Sequence, residues 1–247
     1  MKKNKESIFK EIKKLWDDKK YSSKHDVYWN IYEHIFSGYD LNKKINILEI
    51  GVDTGTGMEL LHKVFPNSSI CGLDIRELTS TVGNVWIGDQ KDPELLDEIS
   101  LNEGPFDIVI DDGSHVMEDQ IKTFEHLFPK INPGGIYIVE DTHTSYWKSH
   151  GGGYGTDSFV NYTKKLNDLI NYWSWKKGYQ SLPTYEWTVN QNDVNMYNSY
   201  DISPEIFINL NCISSYPNII AFFKSNKEWE YQSNDFFVED DPLYKNI

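Results

Sequence analysis

Five short apolar runs, each with a glycine or an acid at or next to its end, restrict what this chain can fold into more than any other feature. They are "INILEIG" (45–51), "SICGLDI" (69–75), "NVWIGD" (84–89), "FDIVIDD" (106–112) and "IYIVED" (136–141). Continuous β-rich runs of this length read as strands buried on both faces. The stretches between them can each hold a helix; "MEDQIKTFEHLF" sets Met117, Ile121, Phe124 and Leu127 on one face. Such strands alternating with helices build a parallel sheet covered on both sides, so the expected class is α/β, a doubly wound and mostly parallel sheet. "NLNCISSYPNIIAFFKS" predicts an antiparallel hairpin that completes it.

Ahead of the sheet, Ile8, Ile12, Leu15 and Trp16 recur at helical spacing, and "YWNIYEHIF" (28–36) predicts a second, aromatic-rich helix. After it come a glycine-rich loop, "GGGYGTDS", expected to be flexible, and a Tyr-, Trp- and Asn-rich stretch. The expected division is an N-terminal helical segment, 1–40, covering a cofactor site, and a domain over 41–247 with an insertion at about 145–205.

In a doubly wound sheet, ligands bind beyond the carboxyl ends of the strands, so the five strand ends should share one acidic rim. The formal charge of −14, from 24 basic against 38 acidic residues, makes nucleic acid an unsuitable partner. The start carries no apolar run of a signal peptide, and no stretch is long and apolar enough to span a membrane, which predicts a cytoplasmic protein without membrane insertion. Cys71 and Cys212 fit no metal or redox spacing and are expected to be reduced thiols. Aromatic residues in the N-terminal helices point to a possible homo-oligomer.

"ILEIGVDTGTGMELL" puts Gly51, Gly55 and Gly57 between the first strand and a helix, where glycine permits a tight turn and close approach of a ligand. Asp53 stands where a dinucleotide fingerprint has its second glycine, and a carboxylate there repels a pyrophosphate. Asp74 ends the second strand, at the place where a ribose diol is held, and Glu49 can approach an ammonium group. A ligand with a ribose and a cation but no phosphate fits this set, and S-adenosylmethionine has that description.

With these residues the chain resembles the class I, Rossmann-like S-adenosylmethionine-dependent methyltransferases. Its similarity is greatest to bacterial metal-dependent sugar O-methyltransferases of the macrolide-sugar type and the related cephalosporin-hydroxylase-like group. It is carried by "FDIVIDDGSHVMEDQIKTFEHLFPKINPGGIYIVEDTHTSYW" and "SSKHDVYWNIYEHIF". The resemblance implies a cofactor site at Glu49, Gly51, Gly55 and Asp74, with the "GDQ" turn, Asp89 and Gln90, facing the adenine. It also implies that Lys24, His25 and Tyr28 close over the cofactor.

"DDGSH" (111–115) and "EDTH" (140–143) end neighbouring strands, and clustered carboxylates repel one another unless a cation lies between them. Asp112, Glu140 and Asp141 are the expected ligands of a magnesium or other divalent ion, and the resemblance implies the same positions. Asp111 is grouped with the cofactor contacts, and beside the metal it is either a further ligand or a partner behind the ligands. Methyl transfer to a sugar hydroxyl requires loss of its proton; a metal lowers the hydroxyl pKa and a histidine accepts the proton. His143 is the expected base, with Asp112 as the other catalytic residue. His115 is either a helix-start residue or a support to the ligands. Tyr146, Trp147 and the glycine loop are expected to form the acceptor pocket, for a sugar or a glycosylated or capsule-type precursor.

Two other readings stand beside this one. A nicotinamide-dependent oxidoreductase accounts for the fold and Asp74 but not for the acidic rim. A methyltransferase acting on a non-carbohydrate acceptor would use the same metal, base and donor.

Overall fold

The computed structural model describes residues 27–179 and 202–226, together with Lys10, Lys13, Lys14 and Lys24. Apart from Lys10, Lys13 and Lys14, the helix expected at 8–16 lies outside the described residues, as do most of the aromatic-rich stretch after 179 and His25.

All five predicted strands form: β1 (Asn46–Ile50), β2 (Ser69–Asp74), β3 (Val85–Ile87), β4 (Ile108–Asp111) and β5 (Ile136–Val139). The hairpin adds β6 (Leu210–Tyr216) and β7 (Ile219–Lys224), in the order β3-β2-β1-β4-β5-β7-β6. The first five strands are parallel, and β7 runs antiparallel between β5 and β6. Asn218, with φ 65°, takes the left-handed conformation that the tight turn between β6 and β7 demands. The mixed sheet with its terminal hairpin is the expected architecture. The chain reverses direction of growth between β1 and β4, so a crevice opens at their carboxyl ends.

Alternate strand residues enter two separate cores, as a two-unit period requires. Ile47, Ile108, Ile110, Ile136 and Ile138 pack with helices α1 (Tyr28–Ile35) and α2 (Thr56–Val64). Leu48, Ile50, Val109, Tyr137 and Val139 face α3 (Pro93–Glu103), α4 (Met117–Leu127) and α5 (Phe159–Tyr179). Asp92 caps α3 by accepting from the Glu94 and Leu95 amides, at 3.0 and 3.4 Å, with Pro93 in the first turn. The short helix α6 (Pro204–Phe207) leads into β6. No helix among the described residues is long and apolar enough to cross a membrane.

The strands are shorter than the apolar runs. Asp74 and Asp111 are the last residues of β2 and β4, whereas Asp112, Glu140 and Asp141 lie just past their strands, in loop backbone that can turn them toward the crevice.

Candidate active site

A cavity of about 470 Å³ lies over the carboxyl ends of the parallel strands. Ile50, Gly51, Asp53, Asp74, Ile75 and Arg76 form one wall, and Gly88, Asp89 and Gln90 border it. Asp112, His115, Glu140 and Asp141 form the other wall, with Lys24 and Tyr28 coming over from the N-terminal segment. Glu49, Gly55, Asp111 and His143 do not line it.

The glycine turn performs two close approaches. At Gly51 (φ 84°), a side chain would overlap the backbone carbonyl of Asp112, so glycine lets the ends of β1 and β4 meet. At Gly57, a side chain would overlap the carboxyl of Glu49. Glu49 is thereby held, buried, against the start of α2. Burial lifts its carboxyl to about 7, against the opposing pull of Lys24.

Asp74 is engaged at both oxygens. Oδ2 accepts from the Val52 and Asp53 amides, each at 3.0 Å, and Oδ1 from the Arg76 amide and Nε, at 2.9 and 3.2 Å. Burial would raise this carboxyl, but the Arg76 bonds, together with the Asp53 amide, hold it below the usual carboxylate range. Arg76 also pairs with Asp53 at 3.1 Å. The carboxylate that the sequence sets against an anionic ligand therefore has a cation beside it. Arg76 was not singled out from the sequence; its signal was a basic residue two positions beyond the strand-end acid.

Asp111 is fully buried behind the wall. It accepts from Gln90 Nε2 at 3.1 Å and from the Tyr137 hydroxyl at 3.2 Å, and burial pushes it up to about 7. Gln90, in turn, accepts the Ser114 amide at 2.7 Å. Asp111 thus anchors Gln90 and the 113–114 backbone, while Gln90 and Asp89 face the cavity.

Asp112, His115 and Asp141 each offer one atom within 4.8 Å of the others. Nε2 of His115 lies 4.0 Å from Asp112 Oδ1 and 3.7 Å from Asp141 Oδ2. The opposite oxygens are already held: Lys24 Nζ is 2.6 Å from Asp112 Oδ2, and the Tyr28 hydroxyl donates to Asp141 Oδ1. Such outer partners aim a ligand's remaining oxygen. His115 and Asp141 both carry positive φ, at 56° and 52°, a conformation uncommon for residues with a side chain.

Glu140 is not a member of this trio. Its Oε1 accepts from Lys24 at 2.5 Å and from the Tyr32 hydroxyl, while Oε2 is buried without a hydrogen-bond partner. His143 Nδ1 lies 3.9 Å from Asp141 Oδ1, and its ring stands edge-on to Trp147 at 4.9 Å. Trp147, Tyr146 and Tyr154 are exposed, with the two tyrosine rings 5.6 Å apart. The structure therefore brings His115, which the sequence left as helix start or support, to the cavity wall, and sets His143 outside it.

Two carboxylate oxygens and an imidazole nitrogen suit a divalent ion, and the cluster is open to the cavity. The buried Oε2 atoms of Glu49 and Glu140, both without a hydrogen-bond partner, lie beside it with acceptor capacity to spare. The donor set fits a cation.

No family model matches the chain. Over 132 residues, 49% of the chain, it is 42% identical to mycinamicin VI 2''-O-methyltransferase of Micromonospora griseorubida. Over 131 residues it is 38% identical to demethylmacrocin O-methyltransferase of Streptomyces fradiae. The chain is related to the macrolide-sugar O-methyltransferases. It is also 34% identical over 161 residues to L-olivosyl-oleandolide 3-O-methyltransferase of Streptomyces antibioticus. These matches span 33% to 42% of the relatives' own length. The MycE methyltransferase of the mycinamycin pathway, solved in complex with Mg, SAH and mycinamycin VI, superposes with a TM-score of 0.69 at 27% identity. That superposition covers 91% of this chain and 57% of MycE. The fold is the Rossmann-like methyltransferase fold.

Proposed function

We propose that this chain is an S-adenosylmethionine-dependent O-methyltransferase that acts, with a divalent metal such as Mg2+, on a sugar hydroxyl of a glycosylated acceptor. The observation that carries the reading is the Asp112, His115 and Asp141 cluster on the wall of the cavity over the strand ends. It is supported by relatives whose names specify methylation of sugar-bearing natural products.

In this reading the methyl donor lies along the Gly51, Asp74 and Gln90 side, with Ile75 offering an exposed apolar surface. Asp112 and Asp141 would hold the metal, with Glu140 supporting them through Lys24 and with His115 beside the ion as the base and not as a ligand. Bound there, the metal lowers the pKa of the acceptor hydroxyl. His115 receives the hydroxyl proton at Nε2 as the oxygen attacks the methyl carbon; the C–O bond forms while the S–C bond breaks, leaving a neutral thioether. The geometry favours His115 over His143 for this task, because only His115 borders the cavity. Trp147 and Tyr146, just beyond Asp141, offer the aromatic faces against which a sugar ring packs its C–H surface.

The test combines the protein, S-adenosylmethionine and a panel of glycosides and sugar conjugates. Mass spectrometry should find one added methyl group, lost on exhaustive chelation and restored by Mg2+. Turnover that survives chelation would remove the metal from the mechanism. Calorimetric binding of NAD(H) with none of S-adenosylmethionine would favour an oxidoreductase instead.

A further inference from the structure

Asp53 is the residue of the glycine turn to which the proposed function gives no task. Its φ of 47° favours glycine, yet the chain keeps a carboxylate there. Its amide donates to Asp74 Oδ2 at 3.0 Å, and its Oδ1 accepts from Arg76 Nη2 at 3.1 Å. Arg76 Nε in turn donates to Asp74 Oδ1 at 3.2 Å. Asp53, Arg76 and Asp74 thus close a ring of hydrogen bonds, and all three line the cavity.

The donors to Asp74 are not equivalent. Three are backbone amides, of Val52, Asp53 and Arg76, fixed by the turns that carry them. The fourth is the Arg76 side chain, which makes the longest of these bonds and is 57% exposed where Asp74 is 5% exposed. A carboxylate oxygen accepts about two hydrogen bonds, so both Asp74 oxygens have their complement. A ligand hydroxyl that bonds Asp74 has to replace one donor, and Arg76 Nε is the one that leaves without disturbing a turn. Asp53 decides where the guanidinium then goes, because it already holds the far nitrogen and is itself 55% exposed. Without Asp53, two guanidinium nitrogens would be free for Asp74, in the bidentate arrangement that such pairs favour.

We propose that Arg76 and Asp53 are a specificity-determining pair for the ribose of the bound nucleoside: Arg76 competes with the ribose diol for Asp74, and Asp53 weakens that competition by holding the guanidinium. Affinity for a nucleoside is then set by an exchange of side-chain bonds at the lip of the cavity. The pair acts on a diol whatever nucleoside carries it; that this nucleoside is S-adenosylmethionine rests on the proposed function.

The experiment is calorimetric titration of the full chain with S-adenosylhomocysteine, with adenosine and with the dideoxy analogue of adenosine that lacks both ribose hydroxyls. The proteins are the wild type, Arg76→Ala, Arg76→Gln, Asp53→Asn and the double variant Arg76→Ala/Asp53→Asn; asparagine tolerates the positive φ. Arg76→Ala and Arg76→Gln should bind S-adenosylhomocysteine and adenosine about twofold to fivefold more tightly, the scale of releasing one half-exposed ion pair. The dideoxy analogue should gain nothing, since it offers Asp74 no hydroxyl. Asp53→Asn should bind S-adenosylhomocysteine more weakly than the wild type, and the double variant should match Arg76→Ala, because Asp53 acts through Arg76. Added salt should narrow the gap between the wild type and Arg76→Ala. Unchanged or weaker binding of S-adenosylhomocysteine by both Arg76 variants, or an equal gain for the dideoxy analogue, overturns the competition and leaves the methyl-donor reading standing. An Asp53→Asn effect that persists in the double variant overturns the role of Asp53. Binding of NAD(H) but not S-adenosylhomocysteine, with the same gain in Arg76→Ala, keeps the pair and sinks the methyl-donor reading. No binding of any of these nucleosides by any variant overturns both.

Discussion

His115 and His143 stand on opposite sides of Asp141: Nε2 of one is 3.7 Å from Oδ2, and Nδ1 of the other is 3.9 Å from Oδ1. Only the first borders the cavity, so the two substitutions should separate. With metal saturating, His115→Ala should lower kcat by about 10²–10⁴-fold, the usual contribution of a positioned base. His143→Ala should cost far less and chiefly raise the acceptor KM, through the Trp147 ring it supports. The opposite ranking in steady-state kinetics would return the base to His143. Asp74 carries a pH prediction. Its folded pKa is depressed, so its contribution to stability is present above the unfolded value, about 3.9, and is lost as the pH falls through it toward the folded value. Asp74→Asn should melt lower than the wild type near neutral pH, with the gap closing in strong acid. A gap that stays constant across that range would mean the loss is one of shape and not of charge.

Among the elements, β7 joins the site to the core. It pairs with β5, the strand that leads to Glu140 and Asp141, and its Phe222 ring packs 4.4 Å from Phe124 and 5.9 Å from Phe159. Phe222→Ala should destabilise the protein by about 3–5 kcal/mol in urea unfolding, the range for emptying a buried aromatic site. A loss under about 1 kcal/mol would show that the neighbouring rings close the gap. The strands and the hairpin were legible in the sequence because their signal is local: a short continuous apolar run and a turn can be read without knowing the neighbours. The acid pairs were legible for the same reason. Lys24 and Tyr32 as partners of Glu140 were not, because they stand 116 and 108 positions away in the chain and meet it only when α1 packs on the sheet. His115 was ambiguous because its direction depends on a left-handed backbone conformation that spacing does not encode. Asp111 and Asp112 look alike as neighbours, yet one side chain enters the core and the other the cavity, since β4 ends between them.

At the scale of the whole molecule, the hairpin has a consequence in time. β7 lies inside the sheet, between β5 and the edge strand β6, although among the described residues it is the last strand made. A chain emerging from the ribosome can assemble the parallel strands as they arrive, yet β5 must wait with one side unpaired until residues 219–224 follow. The backbone just past Asp141 waits with it, because the Thr142 amide donates to the Asn218 carbonyl at the tip of that same hairpin, at 3.1 Å. The carboxylate wall of the cavity is therefore among the last parts of the protein to be completed, and a nascent chain stopped before Asn218 would carry the acids without the frame that aims them.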